Sequence, residues 1–66
     1  MMWVVVYVAL SKAEAERLRD RFAEEGILAT LKSSSASVTG GHVEVLVAEA
    51  EAEDAHEILA SFRGRG

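Results

Sequence analysis

The sequence contains no cysteine, so it can form neither a disulfide nor a thiolate zinc site. Its 66 residues make one domain, and a chain of this length buries only about 60% of the surface that its unfolded form exposes. Small domains of this kind gain stability from disulfides, a structural metal or oligomerisation. The two histidines, His42 and His56, are too few for a structural metal site. We therefore expect oligomerisation, and neither a metal nor a cofactor.

Basic residues and long apolar runs are also scarce. Seven lysines and arginines stand against eleven aspartates and glutamates, and the formal net charge of −4 disfavours nucleic acid and anionic membranes as partners. No apolar run approaches the roughly 18 residues of a membrane span. The residues at 1–3 lack the basic start and small-residue cleavage site of a signal peptide. We expect a cytoplasmic protein with neither nucleic acid nor a membrane as its partner.

The first half of the chain predicts a strand followed by a helix. Six apolar residues in a row, Trp3–Val8, form the strand. A Ser-x-x-Glu capping box follows, in which the Ser11 hydroxyl accepts the N–H of Glu14 while the Glu14 carboxylate accepts the N–H of Ser11. Gly26 suits a helix C-terminus, so the helix should run from about Lys12 to Glu25. Its apolar stripe is Ala15, Leu18 and Phe22.

The second half predicts two strands and a second helix. Ile27–Lys32 and His42–Val47 are the strands, and the serine- and glycine-rich stretch Ser33–Gly41 between them should be a flexible hairpin loop. An acidic segment then opens a helix from about Glu51 to Phe62, followed by a frayed tail at 63–66. The apolar stripe of this helix is Ala55, Ile58, Leu59 and Phe62.

This β-α-β-β-α order predicts an α+β two-layer sandwich. A right-handed crossover makes strands one and two parallel, and strand three inserts between them, antiparallel to both. The sheet order is then 1-3-2, with both helices on one face. This is the ferredoxin-like plan without its fourth strand, since only four residues follow Phe62.

The first strand is expected to lie unprotected at the edge of this sheet. It contains no Lys, no Pro and no expected bulge, the devices that usually protect an edge. Its helix-free face carries either Trp3, Val5 and Tyr7 or Val4, Val6 and Val8, in a patch with Leu28 and Leu46 that Thr30, Lys32, His42 and Glu44 surround.

Such a patch predicts a homodimer, formed edge to edge or face to face. The alternative is a monomer whose long loop folds over the patch. A charge at Val4 or Val5, whichever faces away from the helices, should shift the protein toward monomer. The candidate interface residues are Trp3, Val4, Val5, Val6, Tyr7, Val8, Leu28 and Leu46.

Candidates for ligand binding cluster around the loop. Its hydroxyl and backbone N–H groups, with Lys32 beside them, could hold an anion, although no phosphate-binding motif is present and a plain hairpin tip is the favoured interpretation. His42 with Glu44 could bind a metal or relay a proton, against the ordinary interpretation of a solvated strand end. We find no nucleophile–base pair and predict no catalytic residues, so the chain is not expected to be an enzyme. The candidate ligand-binding residues are Lys32, Ser34, Ser35, Gly40, Gly41 and His42.

Four short motifs resemble a family of small bacterial domains known as putative prokaryotic signal-transducing proteins and compared to PII-type regulators. The motifs are Ala15-Glu16, Glu24-Glu25-Gly26-Ile27, Val47-Ala48-Glu49 and Ala55-His56-Glu57-Ile58-Leu59. The family usually has proline where this chain has Ala48. The resemblance implies a PII-like fold and a regulatory or sensing role, with no established catalytic residues to carry over.

Two functions therefore stay open. The first is a regulatory or protein-interaction module that acts as a homodimer, with an unidentified protein partner. The second is a small-ligand sensor that binds an amino acid, a nucleotide or an anion at the dimer interface or at the 33–41 loop.

Overall fold

A computed structural model describes residues 2–33 and 42–64, with side chains as far as Phe62. It contains three strands and two helices in the order β-α-β-β-α, as the sequence predicts. The predicted flexible loop lies, apart from Ser33, outside the described residues. The elements are β1 (Trp3–Ala9), α1 (Lys12–Glu24), β2 (Ala29–Ser33), β3 (Val43–Ala48), a 3₁₀ turn (Glu49–Glu51) and α2 (Ala52–Gly64).

The three strands form one sheet in the order β1-β3-β2. The central strand β3 is antiparallel to both neighbours, so β1 and β2 run parallel to each other without touching. The predicted strand order and pairing are therefore confirmed. Because β1 and β2 are the outer strands of this sheet, each has one edge that no strand in the described part of the chain pairs with.

The core lies on one face of the sheet because β3 alternates. Its odd-numbered residues Val43, Val45 and Val47 are buried, whereas the residues between them are only half-buried. Both helices contribute to the same buried cluster, so both lie on this face, as expected. The predicted stripes supply the helical core residues Ala15, Leu18, Phe22, Ala55 and Leu59.

The C-terminus of α1 explains where β2 begins. Gly26 has a positive φ of 86°, the left-handed conformation that glycine adopts at little cost. The N–H of Gly26 donates to the carbonyl of Ala23 at 3.0 Å, and the N–H of Ile27 donates to that of Phe22 at 2.8 Å. This is the Schellman arrangement. Because Ile27 is tied to the helix end, β2 begins at Ala29, two residues later than predicted.

The ends of α2 also differ slightly from the prediction. A 3₁₀ turn at Glu49–Glu51 precedes the helix, whose first residue is Ala52. The N–H of Glu49 donates to the carbonyl of Met2 at 2.9 Å, which ties this turn to the start of β1. The helix continues to Gly64, two residues beyond Phe62, so the predicted tail is at least that much shorter. No helix in the described residues is long and apolar enough to cross a membrane.

The main correction concerns β1, which does contain a β-bulge. Val5 pairs with Leu46 and Tyr7 pairs with Val45, so Val6 is an extra residue without a partner of its own. A bulge of this kind reverses the inward–outward alternation on one side of it. The outward residues are therefore Trp3, Val5 and Val8, which is neither of the two sets expected from strict alternation.

Candidate functional site

The candidate site is the face of the sheet opposite the helices, which we call the open face. Residues that pair directly across antiparallel strands project to the same face, so the pairing register places the outward residues in three rows. Leu28, one residue before β2, extends the first row because it lines a common groove with Trp3 and Ala48. The rows, read from β1 through β3 to β2, are Trp3–Ala48–Leu28, Val5–Leu46–Thr30 and Val8–Glu44–Lys32.

Most of the open face is apolar. Trp3 is 39% exposed, Val5 46%, Val8 49% and Leu28 72%, and Leu46 at the centre is half-buried. Six large apolar side chains are exposed in the described part of the chain, and five of them lie between Met2 and Leu10. A contiguous exposed apolar patch of this kind usually marks an interaction surface.

The polar residues of the open face are confined to one corner. Lys32 pairs with Glu44 across β2 and β3, and Glu44 pairs with Val8 on its other side. Lys32 and Thr30 are exposed, whereas Glu44 is half-buried. The opposite charges of Lys32 and Glu44 therefore lie side by side, at the end of the sheet where β2 finishes and β3 begins.

The first row contains a groove because its middle residue is small. Ala48 lies between the indole of Trp3 and the side chain of Leu28, and the resulting groove has a volume of about 320 Å³. Its remaining lining comes from Gly26 at the end of α1 and from Ala50 and Glu51 in the 3₁₀ turn. The groove can hold an apolar group, with one carboxylate at its margin.

A smaller groove of about 190 Å³ lies away from the open face, between the C-terminal end of α1 and the first half of α2. Its lining is more acidic, and it includes the partly buried Ile58 of α2. In the described residues no three histidines or carboxylates lie close enough together to hold a metal ion. The lining residues are Glu25, Ile27, Asp54, Glu57 and Ile58.

The predicted interface residues separate into two groups. Trp3, Val5, Val8, Leu28 and Leu46 lie on the open face. The other three, Val4, Val6 and Tyr7, instead pack against the core. The bulge at Val6 accounts for this division, because it turns Tyr7 toward the helices.

Tyr7 forms part of a structural cluster on the helix-covered side. Its hydroxyl donates to Oε2 of Glu14 at 2.8 Å, and its ring meets that of Phe62 edge-on, with centroids 6.4 Å apart. Oε1 of Glu14 accepts the N–H of Leu10 at 2.8 Å, while the Ser11 hydroxyl accepts the N–H of Glu14 at 3.1 Å. The capping box is thus confirmed at Ser11, but Glu14 reaches back to Leu10 and not to Ser11.

These contacts lower the pKa of Glu14 below its ordinary value. The N–H of Leu10 contributes most, followed by the Tyr7 hydroxyl, and the positive charge of Arg17 adds to them against the opposing effect of burial. Glu14 is therefore held as a carboxylate that caps α1 and binds β1. An acidic group with a raised pKa would suit a general acid, and Glu14 is shifted the other way.

The predicted ligand-binding residues are only partly described. Lys32 ends near the margin of the open face, and His42 is exposed just before β3. Ser34, Ser35, Gly40 and Gly41 lie outside the described residues.

Sequence reasoning missed the groove, whose lining comes from three separate segments. One signal was available: Ala48 has the same parity as Leu46 in β3, so it could have been placed on the open face as a small residue. The contributions of Gly26 and Ala50 depend on how the helix end and the 3₁₀ turn fold back, and no local pattern shows this.

Comparison with known protein families identifies this chain's relatives. Residues 3–63, which include all three strands, match the family described as putative prokaryotic signal transducing protein. Searches of the curated proteins and of the solved structures found no significant match. Because the family match covers nearly the whole chain and agrees with the observed order of elements, the chain belongs to the family of putative prokaryotic signal transducing proteins.

Proposed function

We propose that this chain is a small cytoplasmic regulatory module that acts as a homodimer through its open face and has no catalytic activity of its own. The observation that carries the proposal is the apolar side of the sheet that no described element covers, formed by Trp3, Val5, Val8, Leu28 and Leu46. A domain of this size gains stability by association, and the family description of signal transduction agrees with a protein that works by binding.

Face-to-face association is favoured over pairing through the edge of β1. A bulge interrupts a strand's hydrogen-bonding pattern and bends it, which makes the strand a poor template for a new partner. In this chain the bulge at Val6 lies in the middle of β1. The open face, by contrast, is continuous across all three strands.

The contacts of the ionisable residues support a binding role. Glu14, with its lowered pKa, caps a helix, and the two ion pairs of the described residues, Arg19–Asp20 and Arg21–Glu25, are partly exposed contacts on α1 or at its end. Exposed pairs of this kind contribute little beyond solvation of the surface. None of these arrangements activates a nucleophile or presents a proton donor to a substrate.

A small-ligand sensor is the second candidate, and the groove at Ala48 is the observation that favours it. With an indole on one side and Glu51 at its margin, the groove would suit an apolar ligand that carries an amino group, as some amino acids do. The sensor predicts that one amino acid raises the melting temperature of the wild-type protein. Ala48→Leu, which fills the groove, should abolish that rise.

The homodimer is tested by size-exclusion chromatography with light scattering at micromolar concentration. The wild-type protein should have about twice the mass of one chain, and Val5→Asp should be monomeric because it places a charge in the apolar patch. Ala13→Asp is the matched control, since it adds the same charge at an exposed position in the first turn of α1. A wild-type protein with the mass of a single chain would contradict the proposal.

Fluorescence gives an independent measurement. Trp3 is the only tryptophan of the chain and is 39% exposed. Its emission should move to shorter wavelength as the protein concentration rises through the dissociation constant. In Val5→Asp the emission should stay unchanged over the same concentrations.

A further inference from the structure

The arrangement of apolar and polar residues on the open face has a symmetry of its own. Each strand contributes one column of outward residues to the three rows. The β1 column, Trp3, Val5 and Val8, is apolar throughout, and so is the first row, Trp3–Ala48–Leu28. This column and this row share Trp3 at the corner, and Leu46 lies at the centre. The three polar residues, Thr30, Glu44 and Lys32, fill the opposite corner. The pattern is therefore symmetric about the diagonal that runs from Trp3 through Leu46 to Lys32.

This symmetry matters because a two-fold dimer brings the same surface of each copy together. Packed sheets keep their strands either nearly aligned or nearly perpendicular. A face-to-face dimer of this chain therefore has a few choices of two-fold axis, and each choice places different residues opposite one another. The positions of the charged residues Glu44 and Lys32 distinguish these choices of axis.

An axis parallel to the strands places Glu44 directly against the partner's Glu44. Both carboxylates would then lie within the interface, where like charges repel strongly. An axis perpendicular to the strands removes that clash but places Glu44 over the partner's Ala48. It also places Lys32 over the partner's Leu28, so that charges are covered by apolar groups.

An axis along the Trp3–Lys32 diagonal keeps Glu44 away from the partner's Glu44 and from apolar residues, and leaves one like-charge contact, between the two Lys32 side chains. It places Val5 over the partner's Ala48 and Val8 over the partner's Leu28, so that apolar residues meet apolar residues. The two Trp3 side chains meet near one end of the axis. Glu44 then faces the partner's Thr30. The two Lys32 side chains meet at the rim, where interfaces are usually polar and solvated, and because Lys32 is exposed the repulsion between them is screened by solvent. The other diagonal places Val5 over the partner's Glu44.

The shape of the surface supports the same choice. The first row contains the groove of about 320 Å³ at Ala48, between two large side chains. In β1 the outward side chain between Trp3 and Val8 is Val5, which is 46% exposed. The Trp3–Lys32 diagonal lays the outward side chains of β1 of each copy along the groove of the other, and so fills a space that the described residues leave open.

We propose that two copies of this chain pack their open faces with the strands crossing at a steep angle, so that Val5 of each copy fills the groove at the partner's Ala48. The proposal rests on the homodimer proposed above and specifies its geometry. The occupant of the groove is then a second copy of the chain and not a small ligand.

Disulfide trapping tests this geometry, because the wild-type chain has no cysteine and each introduced thiol is therefore unique. Val5→Cys and Ala48→Cys are prepared separately, mixed and oxidised, and the products are separated by mass and by peptide mapping. A disulfide forms only where the two Cβ atoms can approach to about 4 Å. We expect the mixed Val5–Ala48 disulfide to form in large excess over either self-linked product.

Every other outcome of the trapping experiment contradicts either the crossed geometry or the homodimer itself. Predominant self-linking of Ala48→Cys indicates the axis parallel to the strands, and self-linking of Val5→Cys indicates the axis perpendicular to them. Either result overturns the crossed geometry and leaves the homodimer intact. A dimeric mixture that forms no disulfide also overturns the geometry. A monomeric mass for the wild-type protein and for both reduced variants overturns the geometry together with the homodimer.

Discussion

The two faces of the sheet differ in what covers them, although the same strands form both. On the covered face β3 contributes Val43 and Val45, which α1 and α2 bury. On the open face, one residue further along, it contributes Glu44 and Leu46, which no described element covers completely. The covered face is part of a buried hydrophobic core, whereas the open face combines exposed apolar residues with a single polar corner.

The covered face therefore determines the folding of the single chain, and the open face is the surface available for association. A residue of the covered face acts on the folding of the single chain, and a residue of the open face should act mainly on association. Val45 and Leu46 are adjacent in β3 and point to opposite faces, so the same substitution at each position tests the distinction directly.

The largest effect is expected for Val45→Asp. Val45 is fully buried at the centre of the core, and no positively charged residue accompanies it in the buried cluster. An unpaired buried carboxylate costs several kcal/mol, which is comparable to the whole stability of a small domain. The variant should therefore be unfolded by circular dichroism at 25 °C. A folded Val45→Asp protein would show that the covered face tolerates a charge and that the core has been misidentified.

The next effect is expected for Leu46→Asp. Leu46 lies at the centre of the open face, so its substitution should leave the circular dichroism spectrum of the monomer intact. The strand itself should lose only about 1 kcal/mol from the lower β propensity of aspartate. Light scattering should show a monomer at concentrations where the wild-type protein is a dimer. The comparison of the two faces fails if Leu46→Asp unfolds as completely as Val45→Asp, or if it stays dimeric.

The sequence predicts the covered face better than the open face, and β3 shows why. Val43, Val45 and Val47 alternate with less buried residues, so their burial follows from their spacing. The helix stripes and the signals at Ser11 and Gly26 are equally local, and both helices lie where these signals place them.

The composition of β1 does not show which of its side chains point toward the helices. All residues from Trp3 to Val8 are apolar, so no alternation shows which side chains point inward or where the register shifts. The bulge at Val6 depends on how β1 pairs with β3, and on Tyr7 reaching Glu14 across the start of α1. Such tertiary contacts leave no periodic signal. For this reason the outward set of Trp3, Val5 and Val8 could not be deduced from the sequence.

A smaller effect is expected at Gly26, where the two faces meet. Gly26 ends α1 on the covered side and lines the groove on the open side. A Cβ atom at this position would meet no other atom within 4 Å, so Gly26→Ala costs only the strain of a positive φ, about 1 kcal/mol. Urea denaturation should detect this loss. Gly26→Asn is the matched variant and should lose less, because asparagine tolerates the left-handed conformation better.

If Gly26→Ala changed the mass of the dimer and left the stability of the monomer unaltered, Gly26 would belong functionally to the open face. We expect instead that Gly26→Ala lowers the stability of the folded chain and leaves the dimer interface itself unchanged. The Schellman hydrogen bonds should weaken, and the dimer should change only in proportion to the stability of its folded subunits.

The last effect is expected for Tyr7→Phe; near neutral pH it should be similar in size to that of Gly26→Ala, and in acid it should become smaller. The Tyr7 hydroxyl donates to Glu14, whose pKa is lowered mainly by the N–H of Leu10 and then by this hydroxyl. At pH 7 the variant should lose about 1 kcal/mol of unfolding free energy. Carbon-detected NMR titration should show the pKa of Glu14 shifted upward, toward its ordinary value.

The sign of the pH dependence follows from that lowered pKa. Because the folded protein holds the Glu14 proton more weakly than the unfolded chain, the carboxylate stabilises the fold fully above the ordinary pKa, and this contribution is lost as the pH falls through the lower folded value. The difference between wild type and Tyr7→Phe should therefore be constant near neutral pH and shrink in acid. Glu14→Gln, which has no titrating group, should flatten the acid dependence that Glu14 contributes. A Tyr7→Phe difference that persists unchanged at low pH would mean that the phenol stabilises the covered face through its packing on Phe62 and not through the carboxylate.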